Sequence, residues 1–151
     1  MSEAQQVNVA DLDLNQLSDV RKQLEEELGH LTSSFAQLKQ AQVKFKTCIE
    51  NIGDLKPQNK DKTILVPLTN SLYVPGKICD TESVIVDVGT GYYVQKSRVE
   101  AVKHYSDKVE YLNTNLVVLE DTIGKKRENM TYLLNVMQSK LQAEAKNAAK
   151  S

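Results

Sequence analysis

Apolar residues fall on a strict seven-residue repeat in two long stretches of this chain, one before and one after a central block whose period drops to two. With Leu14 as position a, the a positions read Leu14, Arg21, Leu28, Phe35, Gln42 and Ile49, and the d positions read Leu17, Leu24, Leu31, Leu38, Phe45 and Ile52. All but Arg21 and Gln42 are apolar. With Val102 as a, the a positions read Val102, Val109, Leu116, Ile123, Met130 and Met137, and the d positions Tyr105, Leu112, Leu119, Lys126, Leu133 and Lys140. All but the two lysines are apolar. A spacing of 3.5 residues held this long specifies a narrow seam between supercoiled helices rather than the wide face of a globular helix. The pattern predicts a long antiparallel coiled-coil helical hairpin, with strands at the bend and both termini together at the far end.

Local signals set the boundaries. The first coiled-coil helix is placed in residues 11–53: Asp13 caps it with Gln16 at N3, and Leu12 and Leu17 form a hydrophobic staple. Gly53 at C′ and Pro57 end it. The second is placed in residues 97–146 and opens on the capping box Ser97-Arg98-Val99-Glu100. At a rise of ~1.5 Å per residue each helix would approach roughly 60 Å, and matched lengths favour pairing within one chain. With Ile52 opposite Val99, Leu28 faces Ile123, Leu17 faces Leu134, and Glu25 comes beside Lys126, which would account for a lysine at d.

Residues 54–62 form a polar linker, and residues 63–96 read as two β-hairpins. The first runs through Thr63–Leu68, a turn at Thr69-Asn70 and Ser71–Lys77. The second runs through Ser83–Val88, a turn at Gly89-Thr90-Gly91 and Tyr92–Lys96. Ile64, Val66 and Leu68 share a face by alternation, as do Val84, Val86 and Val88, and Tyr92 with Val94. Pro67 and Pro75 cannot donate to a ladder and belong at edges or bulges. An isolated hairpin is marginal in water and leaves its edges open. Strands from other subunits, closing a shared sheet, remedy both defects. The expected fold is therefore α+β, a coiled-coil hairpin whose strands contribute to an oligomeric β-barrel. The residues expected to carry assembly are Ile64, Val66, Leu68, Tyr73, Val84, Val86, Val88, Tyr92 and Val94, with Val86 in the barrel interior.

Composition narrows the function. A length of 151 residues suits one domain. A net charge of -1, from 19 basic and 20 acidic residues, argues against a dedicated nucleic-acid binder. No apolar run approaches the roughly 20 residues that cross a bilayer. Met1–Ala10 is polar, without the apolar region of a signal peptide, so the chain is expected in the cytoplasm. Cys48 and Cys79 form no CxxC pair and suit that reducing compartment as inert thiols. His30 and His104 both fall at c, on the solvent face, without a metal-binding partner at i+4. Gly89-Thr90-Gly91 precedes a strand rather than a helix, so it reads as a tight turn and not a phosphate loop. Lys125-Lys126-Arg127 is too short for a basic patch, and the sequon at Asn129-Met130-Thr131 is a coincidence in a helix. No catalytic, cofactor or metal site emerges, and an enzyme is not expected.

The strand block carries a resemblance. Leu65-Val66-Pro67-Leu68-Thr69, Leu72-Tyr73-Val74-Pro75-Gly76-Lys77 and Asp87-Val88-Gly89-Thr90-Gly91-Tyr92-Tyr93-Val94 resemble the α-class subunits of the prefoldin family, most nearly those of eukaryotes. The helix–two hairpins–helix order extends the likeness over nearly the whole chain, and two hairpins rather than one match the α class. The resemblance implies a hexamer of two α-class and four β-class subunits, with two β-barrels and six projecting coiled coils. It further implies that the coil ends hold unfolded proteins, notably actin and tubulin, and pass them without nucleotide to the cytosolic chaperonin.

For client capture, Leu12, Leu14, Leu17, Val136, Met137 and Leu141 fall near the open end of the coil. They are either ordinary seam residues or frayed apolar side chains offered to unfolded polypeptides; methionine adapts well to the second task. Two rival functions share the pattern. A structural coiled-coil adaptor would bind specific folded partners without general chaperone activity. A strand-based nucleic-acid module would need the basic and aromatic interleaving that this chain lacks.

Overall fold

The structure, a computed structural model, describes residues 9–148. Its elements in chain order are α1 (Leu14–Asp54), β1 (Thr63–Pro67), β2 (Tyr73–Lys77), β3 (Ser83–Gly89), β4 (Tyr92–Ser97) and α2 (Arg98–Ala148). Short 3₁₀ turns lie at Val9–Asp11 and Pro57–Asn59. The chain divides into two compact units. A coil unit comprises the described part of Met1–Leu38 with Asn115–Ser151, and a strand unit comprises Lys39–Thr114. Both helices contribute to both.

The helix starts follow from their caps. Gln16 N donates to Asp13 Oδ1 at 2.7 Å and Asp13 N donates to Gln16 Oε1 at 3.0 Å, so two amides otherwise lacking partners satisfy each other's side chains. With Asp13 as the cap, α1 begins at Leu14, and the residues just before it form the 3₁₀ turn. At α2, Glu100 Oε2 accepts from both Ser97 N (3.0 Å) and the Ser97 hydroxyl (2.9 Å). Those bonds, the backbone one foremost, hold the Glu100 carboxyl below the usual glutamate range.

The end of α1 differs from expectation. Gly53 is helical, not a left-handed C′ residue, and the helix runs on to Asp54. Leu55 N donates to Ile52 O at 3.2 Å, while the Asp54 carbonyl accepts from Lys56 N (2.9 Å) and from Asn59 Nδ2 (2.6 Å). A tight turn and a side chain satisfy two of the terminal carbonyls, those of Ile52 and Asp54, without a glycine cap.

In the strand unit the hairpins form two separate antiparallel two-stranded sheets, β1–β2 and β3–β4. Thr63 pairs with Lys77, Val66 with Val74 and Pro67 with Tyr73. Leu68, expected in β1, lies beyond it: its N–H donates to Leu72 O at 2.9 Å, and Leu72 N donates to Thr69 Oγ1 at 3.1 Å, closing the loop. In β3–β4, Val86 pairs with Val94 and Asp87 with Tyr93, but Gly89 with Tyr92. Val88 falls in that bulge, so the alternation that grouped it with Val84 and Val86 breaks there. Asp87 Oδ1 accepts from Gly89 N at 2.8 Å. The turn then needs three residues at positive φ, Gly89 (110°), Thr90 (51°) and Gly91 (79°), which explains its glycines.

Val86 is 1% exposed and packs with Ile52 and Ala101, against which Val84, Val102 and Tyr105 are partly buried. The chain therefore buries this side chain in its own core, where the alternation pattern had suggested the interior of a shared barrel. The cause is connectivity: β4 ends at Ser97 and α2 begins at Arg98, so this face of the hairpin lies directly on the helix start. Ile52 packs with Ala101, not with Val99, which is 80% exposed. Phe45 and Tyr105 rings meet at 5.8 Å. Burial first, then Cys48 and Asp87, push the Tyr105 phenol above its ordinary value. His104, expected on the solvent face, is half-buried with its ring edge-on to Tyr105 at 5.4 Å.

In the coil unit Leu17, Leu116, Ile123 and Leu133 are buried. Lys126 pairs with Glu27, two residues beyond the expected Glu25; Glu25 instead takes Arg21 one turn away, at 3.4 Å. Leu133, not Leu134, is the buried leucine of its pair. Ile52–Ala101 and Glu27–Lys126 thus show the same two-residue displacement from the expected register, each within its own unit.

The Glu27–Lys126 pair has a pH signature. The Lys126 hydrogen bond foremost, then Gln23, lowers the Glu27 pKa. A lowered carboxyl contributes stability above its unfolded-state value and loses it as pH falls through the folded-state one. Glu27→Gln removes that contribution, so it should lower the unfolding temperature slightly at neutral pH, the pair being solvent-screened, and leave it unchanged at acid pH, where the glutamate is protonated as well. Circular dichroism melts from neutral to acid pH check this; equal melting temperatures at neutral pH would mean the pair contributes nothing.

Candidate functional site

The strand unit presents apolar side chains that no other described residue covers. On β1–β2 one face carries Ile64, Val66 and Val74, and the other carries Leu65 and Tyr73; all are exposed, Leu65 at 68%. Leu68 and Leu72 are exposed in the connecting loop. Gly76 lies opposite Ile64, and a Cβ there would stand 3.0 Å from Val66 Cγ2, so the glycine permits the close packing of this hairpin. On β3–β4 the face bearing Val84 and Val86 is covered by the helices, yet Tyr92 and Val94 on that face remain open. The reverse face exposes Ile85 (74%) and Tyr93. Each strand also has one unpaired edge.

Every residue expected to carry assembly therefore lies on this strand block, but burial divides them. Val86 is core and Val84 half-buried, while Ile64, Val66, Leu68, Tyr73, Val88, Tyr92 and Val94 are exposed. Leu65, Leu72, Val74, Ile85 and Tyr93, which alternation did not single out, are exposed as well. The signal was present in the uninterrupted runs Ile64-Leu65-Val66 and Val84-Ile85-Val86, because a run apolar in both phases marks a strand covered on both faces.

In the coil unit, the six residues expected at a client surface are not equivalent. Leu17 is fully buried, Leu12, Leu14, Val136 and Met137 are half-buried, and Leu141 is 54% exposed. Leu17 offers no surface while the coil is closed. Lys140 Nζ donates to the Leu12 carbonyl, which fastens the residues before α1 to this stretch of α2. A cleft of 630 Å³ is lined by Val9, Val20, Leu24, Tyr132 and the Glu27–Lys126 pair. A second, of 400 Å³, is lined by Ala10, Val136, Ser139, Lys140 and Ala143.

Among the described residues no cluster of His, Cys, Asp and Glu could hold a metal ion, and Cys48 and Cys79 are free thiols. No helix among them is long and apolar enough to cross a membrane. The exposed apolar surfaces suit binding by burial of apolar area.

Known proteins share this arrangement. The family model described as prefoldin subunit matches residues 24–143. A Schizosaccharomyces pombe protein named probable prefoldin subunit 5 is 45% identical over 91% of this chain and 90% of its own length. The Homo sapiens prefoldin subunit 5 is 37% identical over 92% of this chain and 90% of its own. Among solved structures, a chain of filamentous PFD from Methanocaldococcus jannaschii superposes with a TM-score of 0.65 at 22% identity, covering 80% of this chain and 98% of that one. That likeness is one of fold.

Proposed function

Because this chain belongs to the prefoldin family, we propose that it serves as an α-class subunit of a heterohexameric, ATP-independent co-chaperone in the cytoplasm. One further α-class subunit and four β-class subunits are its partners, and the strands join them in shared β-barrels. The coiled-coil ends hold unfolded proteins, actin and tubulin among them, and deliver them to the cytosolic chaperonin. No cofactor takes part. The observation that carries this reading is the β1–β2 hairpin, apolar on both faces and exposed among the described residues. A hairpin with such a surface is marginal alone in water and gains stability when another subunit buries it.

Reconstitution with the other five subunits tests it. The complex should contain this chain at one copy and should suppress light scattering by several unrelated denatured proteins without nucleotide. It should also transfer denatured actin to the chaperonin. A complex that assembles but protects no denatured protein would favour the adaptor; failure to assemble would overturn the subunit reading.

A further inference from the structure

We propose that Val9–Leu12 is an intramolecular strap seated where this chain takes hold of an unfolded polypeptide, and that client segments bind by displacing it. The proposal rests on the client-holding reading above and adds the kind of segment recognised and a device that restrains it. Three observations within the coil unit carry it. The segment Val9–Asp11 is a 3₁₀ turn outside α1, so it can move without unwinding that helix. The Leu12 carbonyl accepts from Lys140 Nζ. Val9 lines one cleft and Ala10 the other, so the segment borders apolar residues of both, Val20 and Leu24 across the first and Val136 across the second.

Lys140 occupies a d position, where an ammonium among apolar neighbours needs an acceptor. The acceptor it finds is a main-chain carbonyl, a group present in every polypeptide. Recognition through that atom imposes no sequence requirement. It does impose a conformational one, because carbonyls inside folded helices and sheets are already bonded. Lys140 therefore selects an unpaired backbone carbonyl, and the Val9 position adds an apolar side chain a few residues before it. Unfolded chains offer both together; folded surfaces rarely do. The segment is short and lies outside the helix, which suits displacement rather than permanent closure.

The test uses the reconstituted complex with Val9→Ser plus Leu12→Ser, and separately Lys140→Ala. Loosening the strap should raise binding of an apolar dye in the absence of client. It should also lower the complex concentration that half-suppresses aggregation of a denatured protein by about three- to tenfold, the population shift expected from losing so few contacts. Lys140→Ala should raise dye binding too, yet leave client holding no better than wild type, because strap and client lose the same donor. Circular dichroism verifies the helices; if the double variant loses helicity, Val9→Ser alone carries the same expectation at smaller size. Unchanged dye binding overturns the strap. Equal gains in holding from both variants overturn the shared donor. A wild-type complex that holds no client removes the client reading instead, and dye binding still decides whether the strap covers apolar surface.

Discussion

Val86→Asp is expected to lift the second hairpin from the helices and destabilise the strand unit by about 3–5 kcal/mol, the range for an uncompensated buried charge. The side chain it replaces is 1% exposed and touches Ile52 and Ala101, neither of which offers a hydrogen bond to a carboxylate. The aspartate must stay charged without partners, bind a proton at a raised pKa, or reach water by opening the hairpin. Opening also exposes Val84, Val102 and Tyr105, because they pack on the same cluster. The urea midpoint of the isolated chain should therefore fall, and co-purification with the partner subunits should be lost with it. A wild-type midpoint would place Val86 outside the core.

The heptads made the helices legible because a seam tolerates few exceptions, and both capping boxes were readable because each depends on residues three apart. Register was less so. A seven-residue repeat fixes which face of a helix is buried, but sliding one helix against another by two residues changes which flanking charges meet; hence Glu27 and not Glu25 beside Lys126. Alternation likewise identified the apolar face of β3 but could not say what covers it. The direct junction at Ser97-Arg98 was legible as a capping box, but that the hairpin folds Val86 back against Ile52 and Ala101 is set by three-dimensional packing. At the coil surface the heptad already separates two of the client candidates: Leu17 is at d and fully buried, while Leu141 lies one position past the d residue Lys140 and is exposed. The Lys140–Leu12 contact joins residues 128 positions apart through a backbone atom, and no side-chain pattern announces it.

Charging the first hairpin should separate assembly from folding. Leu65→Glu with Val74→Glu places one carboxylate on each face of β1–β2, and the two are not directly paired, since Leu65 stands opposite Pro75 and Val74 opposite Val66. Both side chains are exposed in the chain alone, so each change should alter its stability by only ~0.5 kcal/mol. In the complex the same carboxylates would be buried without partners, at a cost of several kcal/mol, enough to weaken association by roughly a hundredfold or more. The variant should melt like wild type and fail to co-purify. Val117→Glu, an equally exposed apolar-to-acid change on α2 in the coil unit, should leave both properties intact and excludes a general effect of added charge. Joint loss of folding and assembly, as with Val86→Asp, would mean the hairpin supports its own chain in ways its exposure does not show. Wild-type co-purification would remove β1–β2 from the interface and leave β3–β4, through Ile85, Tyr92 and Tyr93, to carry assembly.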